Sequence, residues 1–213
     1  EITVRGIPMR VFKNAPPTMR AFWELTAGYA DRDYIVYEDE RYTYAEVAAT
    51  VRSLAHHLRD AHGVTNGDRV AISMRNFPEW VMTYWATVSL GAAVVGMNAW
   101  WTSEEMKFGM TDAQPKVAVV DDERIERLLP VLDDIRAESP MHVISVRSDR
   151  ELPADCSRWS DVVDGSTAPT ELPAAEIDPD DDVCIFYTSG TTGFPKDRVK
   201  IVVINPKSIY MEI

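Results

Sequence analysis

The sequence predicts an α/β protein built on a layered, mostly parallel sheet flanked by helices, and three observations carry that expectation. Short apolar runs recur along the chain at Val70-Ala71-Ile72, Val94-Val95, Val117 to Val120, Val143 to Val146 and Val183 to Tyr187. Stretches with apolar residues at helical spacing separate most of them, and strands alternating with helices make βαβ units. Val117 to Val120 is unbroken β-branched residues and alanine, the composition of a strand covered on both faces.

Taken in chain order, Thr43-x-x-Glu46 is a capping box, in which each side chain satisfies a backbone N–H at a helix start. The helix it opens puts Val47, Val51, Leu54 and Leu58 on one face. His62-Gly63 ends it, and Gly67-Asp68 turns the chain into the Val70 run. Pro78 suits the first turn of the next helix, where its missing N–H is no loss. That helix is apolar nearly all round through Trp85, which implies burial between layers. Thr102-x-x-Glu105 is a second capping box, for a short helix stopping near Pro115. Ile125, Leu128, Leu129, Leu132 and Ile135 keep helical spacing, with Pro130 expected to kink or split the helix.

Composition narrows the function classes. A chain of 213 residues with 46% hydrophobic and 26% charged residues is neither disordered nor a disulfide-stapled miniprotein. A net charge of −12 repels nucleic-acid phosphates and anionic membranes. Cys156 and Cys184 sit at no metal or redox spacing, so free thiols in a reducing, cytoplasmic setting are expected. The charge-free span Trp80 to Ser103 reads as a buried helix, a turn at Gly91 and a buried strand, not as a membrane helix. Asp149 to Asp182 holds eleven acids, only Arg150 and Arg158 against them, and four prolines. That composition suits a solvated connection without packed regular elements, and a boundary falls near Asp182. His56, His57 and His62 read as solvated helix residues, Trp100-Trp101 as core, and Met74, Met82, Met97, Met106 and Met110 as packing.

The passage that carries chemistry is Tyr187-Thr188-Ser189-Gly190-Thr191-Thr192-Gly193-Phe194-Pro195-Lys196, directly after a predicted buried strand. In open α/β sheets ligands gather beyond the carboxyl ends of strands. The glycines let backbone approach a ligand closely, while hydroxyls, free amides and the Lys196 ammonium can all donate to phosphate oxygens. A plain Gly/Thr surface turn has the same composition. The order is not that of a Walker loop, because Pro195 precedes Lys196 and Asp197 follows it. No G-x-G-x-x-G is present either.

Residues 187–196 resemble the phosphate-loop signature of the adenylate-forming superfamily, which includes acyl-CoA synthetases, peptide-synthetase adenylation domains and luciferases. The segments 41–46, 67–72, Asn76-Phe77-Pro78-Glu79-Trp80 and 91–95 fall in that family's order, so the resemblance covers roughly residues 17 to 196. Val11 to Pro17 and Tyr37 to Arg41 look most like fatty-acyl-CoA synthetases. The resemblance implies a ligase that joins a small-molecule carboxylic acid to ATP with Mg2+, forming an acyl-adenylate, and then to coenzyme A. It also implies that Thr188, Ser189, Gly190, Thr191, Thr192, Gly193 and Lys196 hold the nucleotide's phosphates; no catalytic or metal-binding residue is assigned. Residues 1–182 would be the α/β region of the large domain and 183–196 its strand and phosphate loop, with 197–213 a tail outside the family pattern. Asp197 stands where the family usually has glycine. The family's adenine, ribose and magnesium segments and its catalytic lysine have no counterpart here, so the chain is expected not to complete catalysis alone. The rival expectations are a nucleotide-binding homologue without chemistry, and a self-associating homo-oligomer driven by an uncovered apolar face.

Overall fold

The computed structural model describes residues 2–4, 6–9, 14–188 and 200–204. A small antiparallel ribbon, β1 (Ile2–Val4) with β2 (Ile7–Met9), precedes helix α1 (Met19–Glu24), whose start is capped by the Thr18 hydroxyl. A 3-10 turn at Leu25–Tyr29 leads into a second antiparallel ribbon, β3 (Asp33–Tyr37) with β4 (Glu40–Thr43). The expectations drawn from the sequence begin only at Thr43 and pass over these elements.

From Thr43 onward sequence and structure agree closely. Helix α2 (Tyr44–His62) starts at the Thr43–Glu46 capping box and ends at Gly63, whose φ of +61° is the left-handed conformation a helix stop needs. Its face of Val47, Val51, Leu54 and Leu58 is fully buried. Strand β5 (Arg69–Ser73), helix α3 (Pro78–Val88) and strand β6 (Ala93–Gly96) follow. Gly91, at φ +74°, makes the turn between the last two. Helix α4 (Ser103–Ala113) opens at the Thr102–Glu105 capping box and leads to β7 (Val117–Asp121), buried throughout. Pro130 divides the next helix as its chemistry requires: α5 (Asp122–Leu128), a 3-10 turn at Leu129–Val131, and α6 (Leu132–Glu138). Then come β8 (His142–Val146), β9 (Cys156–Arg158), α7 (Trp159–Val162), β10 (Cys184–Thr188) and β11 (Lys200–Ile204).

The main sheet has seven strands in the order β11-β10-β6-β5-β7-β8-β9, parallel except that β11 runs antiparallel to β10. Alternation along each strand divides the core. Val70, Ile72, Val94, Val117, Val119 and Ile144 meet α2 and α3 on one face. Ala71, Val95, Ala118, Val120 and Val143 meet α4, α5 and α6 on the other. All five methionines singled out in the sequence are buried in these layers.

Three expectations are corrected. The acidic stretch does contain regular elements, β9 and α7, because Cys156 to Arg158 pair with β8 and extend the sheet edge. Residues 169–176 lie along the helices, held by side chains from elsewhere: Arg52 Nε donates to the Pro169 carbonyl, Arg20 Nη1 to that of Pro173, and Asn66 Nδ2 to that of Glu176. Trp100 is not core, being 68% exposed, whereas Trp101 is buried. His57 and His62 are not simply solvated: both are half-buried and touch each other, and the His62 ring stacks on His142.

Candidate functional site

The connection leaving β5 runs to α3 on one face of the sheet, while those leaving β6 and β7 run to α4 and α5 on the other. Connections that diverge in this way part the chain at the carboxyl ends of the strands, which is where ligands settle in open α/β sheets.

Strand β10, which directly precedes the candidate phosphate loop in sequence, ends at that edge with Thr188. Cys184, Ile185 and Phe186 pair with Val94, Val95 and Gly96. The Phe186 ring lies against Gly96 so closely that a Cβ there would stand 3.0 Å from its Cε1. On the opposite face Tyr187 packs edge-on against Trp101, with ring centroids 5.4 Å apart. Its hydroxyl donates to Asp112 Oδ2 at 2.7 Å and lies 3.3 Å from the Gly109 carbonyl. Burial, and then the Asp112 carboxylate, push the Tyr187 phenol well above its ordinary value, so it stays a donor. Trp101 in turn needs glycine at 109, where a Cβ would fall 2.5 Å from its Cζ3. Burial likewise pushes the Cys184 thiol up to about 12, which makes it an inert core group.

Of the residues the sequence singled out, Thr188 is the last residue of β10. Ser189, Gly190, Thr191, Thr192, Gly193 and Lys196 lie outside the described residues. The buttress of β10 itself, formed by Gly96, Trp101, Gly109 and Asp112 against Phe186 and Tyr187, was not foreseen. A glycine in the interior of a helix, Gly109, was its one available sign.

The neighbouring loops are braced by charge. Asp121, at the end of β7, accepts from the backbone N–H of Arg124 and of Arg75. The Arg124 guanidinium is 1% exposed; it pairs with Asp121 and Glu123, and its Nε donates to the Ala99 carbonyl at 2.7 Å. Arg127 adds bonds to the carbonyls of Ala99 and Trp101. One buried ion pair therefore ties together the loops that follow β5, β6 and β7. Further along the same edge Arg147 joins Glu79 of α3 to Glu40 of the β3–β4 ribbon, with both carboxylates 2.8–2.9 Å away. Hydrogen bonds from Arg147 and then Tyr42 hold the Glu40 carboxyl at about 2. Among the described residues no three His, Cys, Asp or Glu side chains converge as metal ligands, and none is assigned to magnesium.

An open, mostly parallel α/β sheet with helices on both faces defines the class of layered α/β proteins whose ligands settle at the carboxyl edge of the strands. The family model described as AMP-binding enzyme matches residues 22–198, and the chain belongs to that family. A medium/long-chain-fatty-acid–CoA/3-oxocholest-4-en-26-oate–CoA ligase of Mycobacterium marinum is 33% identical over 172 residues, 78% of this chain and 30% of the relative. A 3-hydroxybenzoate–CoA/4-hydroxybenzoate–CoA ligase of Thauera aromatica is 29% identical over 81% of this chain and 32% of its own length. Among solved structures, the anthranilate CoA ligase AuaEII in complex with anthranoyl-AMP matches with a TM-score of 0.74 at 24% identity, over 94% of this chain and 36% of that one. The N-terminal domain of FACL13 from Mycobacterium tuberculosis matches with a TM-score of 0.67 at 27% identity, over 90% and 45%. The fold is thus that of the N-terminal domain of adenylate-forming enzymes, and the chain spans about a third of the length of the curated relatives it matches.

Proposed function

We propose that this chain is the phosphate-gripping N-terminal part of an ATP-dependent acyl-CoA ligase, with residues 1–182 as scaffold and 183–196 as strand and loop. The reaction class is transfer of a carboxylate to the α-phosphate of ATP with loss of pyrophosphate, then displacement of AMP by the coenzyme A thiol. The supporting observation is the delivery of Thr188 to the carboxyl edge of the sheet by a strand locked on both faces, through Phe186 against Gly96 and through Tyr187 to Asp112. A rigid base under the loop matters because donors stabilise a leaving phosphate best when they are preorganised, a single donor contributing about 2.7–4 kcal/mol by analogy with oxyanion holes.

In this reading Ser189, Thr191 and Thr192 donate hydroxyls, Gly190 and Gly193 open their amides, and Lys196 offsets phosphate charge. ATP, Mg2+ and coenzyme A are the ligands of the whole enzyme. The acid is a fatty acid by the segments that look most like fatty-acyl-CoA synthetases and by the Mycobacterium marinum relative. The Thauera aromatica relative, named for hydroxybenzoates, makes an aromatic acid the second reading. Two free thiols suit a reducing cytoplasm.

Lys196→Ala is expected to weaken ATP binding about tenfold or more in calorimetry, and equal affinity for both proteins would count against the phosphate-loop assignment. The 213-residue polypeptide on its own is expected to show no acid-dependent exchange of pyrophosphate into ATP. Robust exchange with octanoate or 4-hydroxybenzoate would overturn its reading as a partial catalyst.

A further inference from the structure

A cavity of about 540 Å³ lies between α1, the 3-10 turn after it, the first turns of α2 and the segment 170–172. None of its lining residues belongs to β10 or to the loops at the carboxyl edge of the sheet. The walls are mixed: Trp23 and Tyr44 supply aromatic surface, Ala48 and other alanines and Leu172 aliphatic surface, while Arg20, Arg52, Glu24, Glu171 and two threonines add polar groups. The segment carrying Leu172 is pinned at both ends. Arg52 Nε donates to the Pro169 carbonyl at 2.6 Å and Arg20 Nη1 to the Pro173 carbonyl at 2.6 Å, while His56 meets the Glu171 carbonyl. The cavity is therefore built by long-range hydrogen bonds and is more than a dent between two helices.

Its cations differ in how far they are engaged. Arg20 is in use, with Nε on Glu24 at 2.9 Å and Nη1 on two carbonyls. Arg52 spends only its Nε, and its two terminal nitrogens have no hydrogen bond or ion pair among the described residues. In a chain of 34 acidic against 22 basic residues, a half-buried guanidinium left without a carboxylate is a group with capacity for an anion. Of the acids at the rim, Glu24 is neutralised by Arg20, and Glu171 is exposed to solvent.

We propose that this cavity is a second binding site that takes a small amphiphilic monocarboxylate, with Arg52 pairing the carboxylate and Trp23, Tyr44, Ala48 and Leu172 enclosing the apolar body. Concave pockets of this size that combine apolar surface with a few fixed polar groups are the usual form of small-molecule sites. The site does not depend on the ligase reading, since it uses no residue of the phosphate loop.

The test is titration of the full chain with octanoate without nucleotide, read by Trp fluorescence and calorimetry, with octanol as the uncharged counterpart. Saturable octanoate binding is expected, weakened about tenfold in Arg52→Gln and for octanol, and lost in Ala45→Phe, which fills the mouth from an exposed position. Lys196→Ala is expected to bind octanoate like the parent. Absence of saturable binding, equal affinity in Arg52→Gln, or loss in Lys196→Ala while Arg52→Gln is unaffected would each overturn the proposal. Circular dichroism of both pocket variants separates lost binding from lost folding.

Discussion

Gly109 sits in the middle of α4, where alanine ordinarily stabilises a helix by about 1 kcal/mol over glycine. Here the opposite outcome is expected. A Cβ at 109 would lie 2.5 Å from Cζ3 and 3.1 Å from Cη2 of Trp101, a buried ring that is itself held against Tyr187. Overpacking a fixed aromatic costs about 1–3 kcal/mol, which exceeds the gain in propensity. Gly109→Ala should therefore lower stability by about 1–2 kcal/mol in urea unfolding. On the proposed function it should also weaken ATP binding, because Tyr187 anchors the strand that leads into the candidate phosphate loop. A variant as stable as the parent would mean that Trp101 moves freely and that β10 is not locked from that face.

At the scale of elements, what could be read from the sequence was what local chemistry decides. Both capping boxes, the stop at Gly63, Pro78 in a first turn and the split at Pro130 each need only a few adjacent residues, and each stands where its motif does. What escaped depends on partners distant in sequence. The β3–β4 ribbon has no clean alternation, its burial being spread over half-exposed positions, and it is held to the sheet edge by Arg147. The candidate phosphate loop is a motif of adjacent residues, whereas the buttress of β10 on α4 could not be read, since Asp112 meets Tyr187 across 75 positions. The histidines escaped for the same reason. His57 and His62 are five apart on α2, yet their Nε2 atoms lie 3.2 Å apart, and His142 from β8 stacks on His62 with centroids 4.1 Å apart. Burial first, then the neighbouring imidazoles, hold His62 down to about 4, and His57 and His142 are lowered as well. A group with a depressed folded value takes up protons more readily when unfolded, so its cost appears as pH falls. Stability should decline from the ordinary value of 6.5 towards about 4, the window set by His62. His62→Phe should flatten that decline in thermal melts across pH, and an NMR titration should place the His62 midpoint near 4. An imidazole titrating at 6.5 would dissolve this account of the junction between α2 and β8.

At the scale of the molecule, the sheet ends on one side with a strand from outside the family match. The family model stops at residue 198, whereas β11 runs Lys200–Ile204 and pairs along the whole of β10. An uncovered strand edge presents a row of free N–H and C=O groups that can template pairing with another chain. In β10 that row would belong to an apolar segment, Cys184 to Tyr187, carrying no charge to discourage such pairing. The net charge of −12 opposes association over the surface generally, but at physiological salt it is screened beyond about 8 Å and acts weakly at a backbone edge. β11 thus serves as a cover for β10, independent of nucleotide chemistry. A chain shortened to residues 1–196 should self-associate at concentrations where residues 1–213 do not, as read by light scattering after size exclusion. Arg198, Lys200 and Lys207 leave with the tail, but so do Asp197 and Glu212, so the net charge moves by only one unit, and that small effect must still be separated. Replacing Val202 with proline in the full chain does this, because proline is poorly tolerated in the middle of a paired strand while every charge is kept. If both variants associate, the backbone edge is the cause; if neither does, β11 is dispensable and the edge of β10 is tolerated in water.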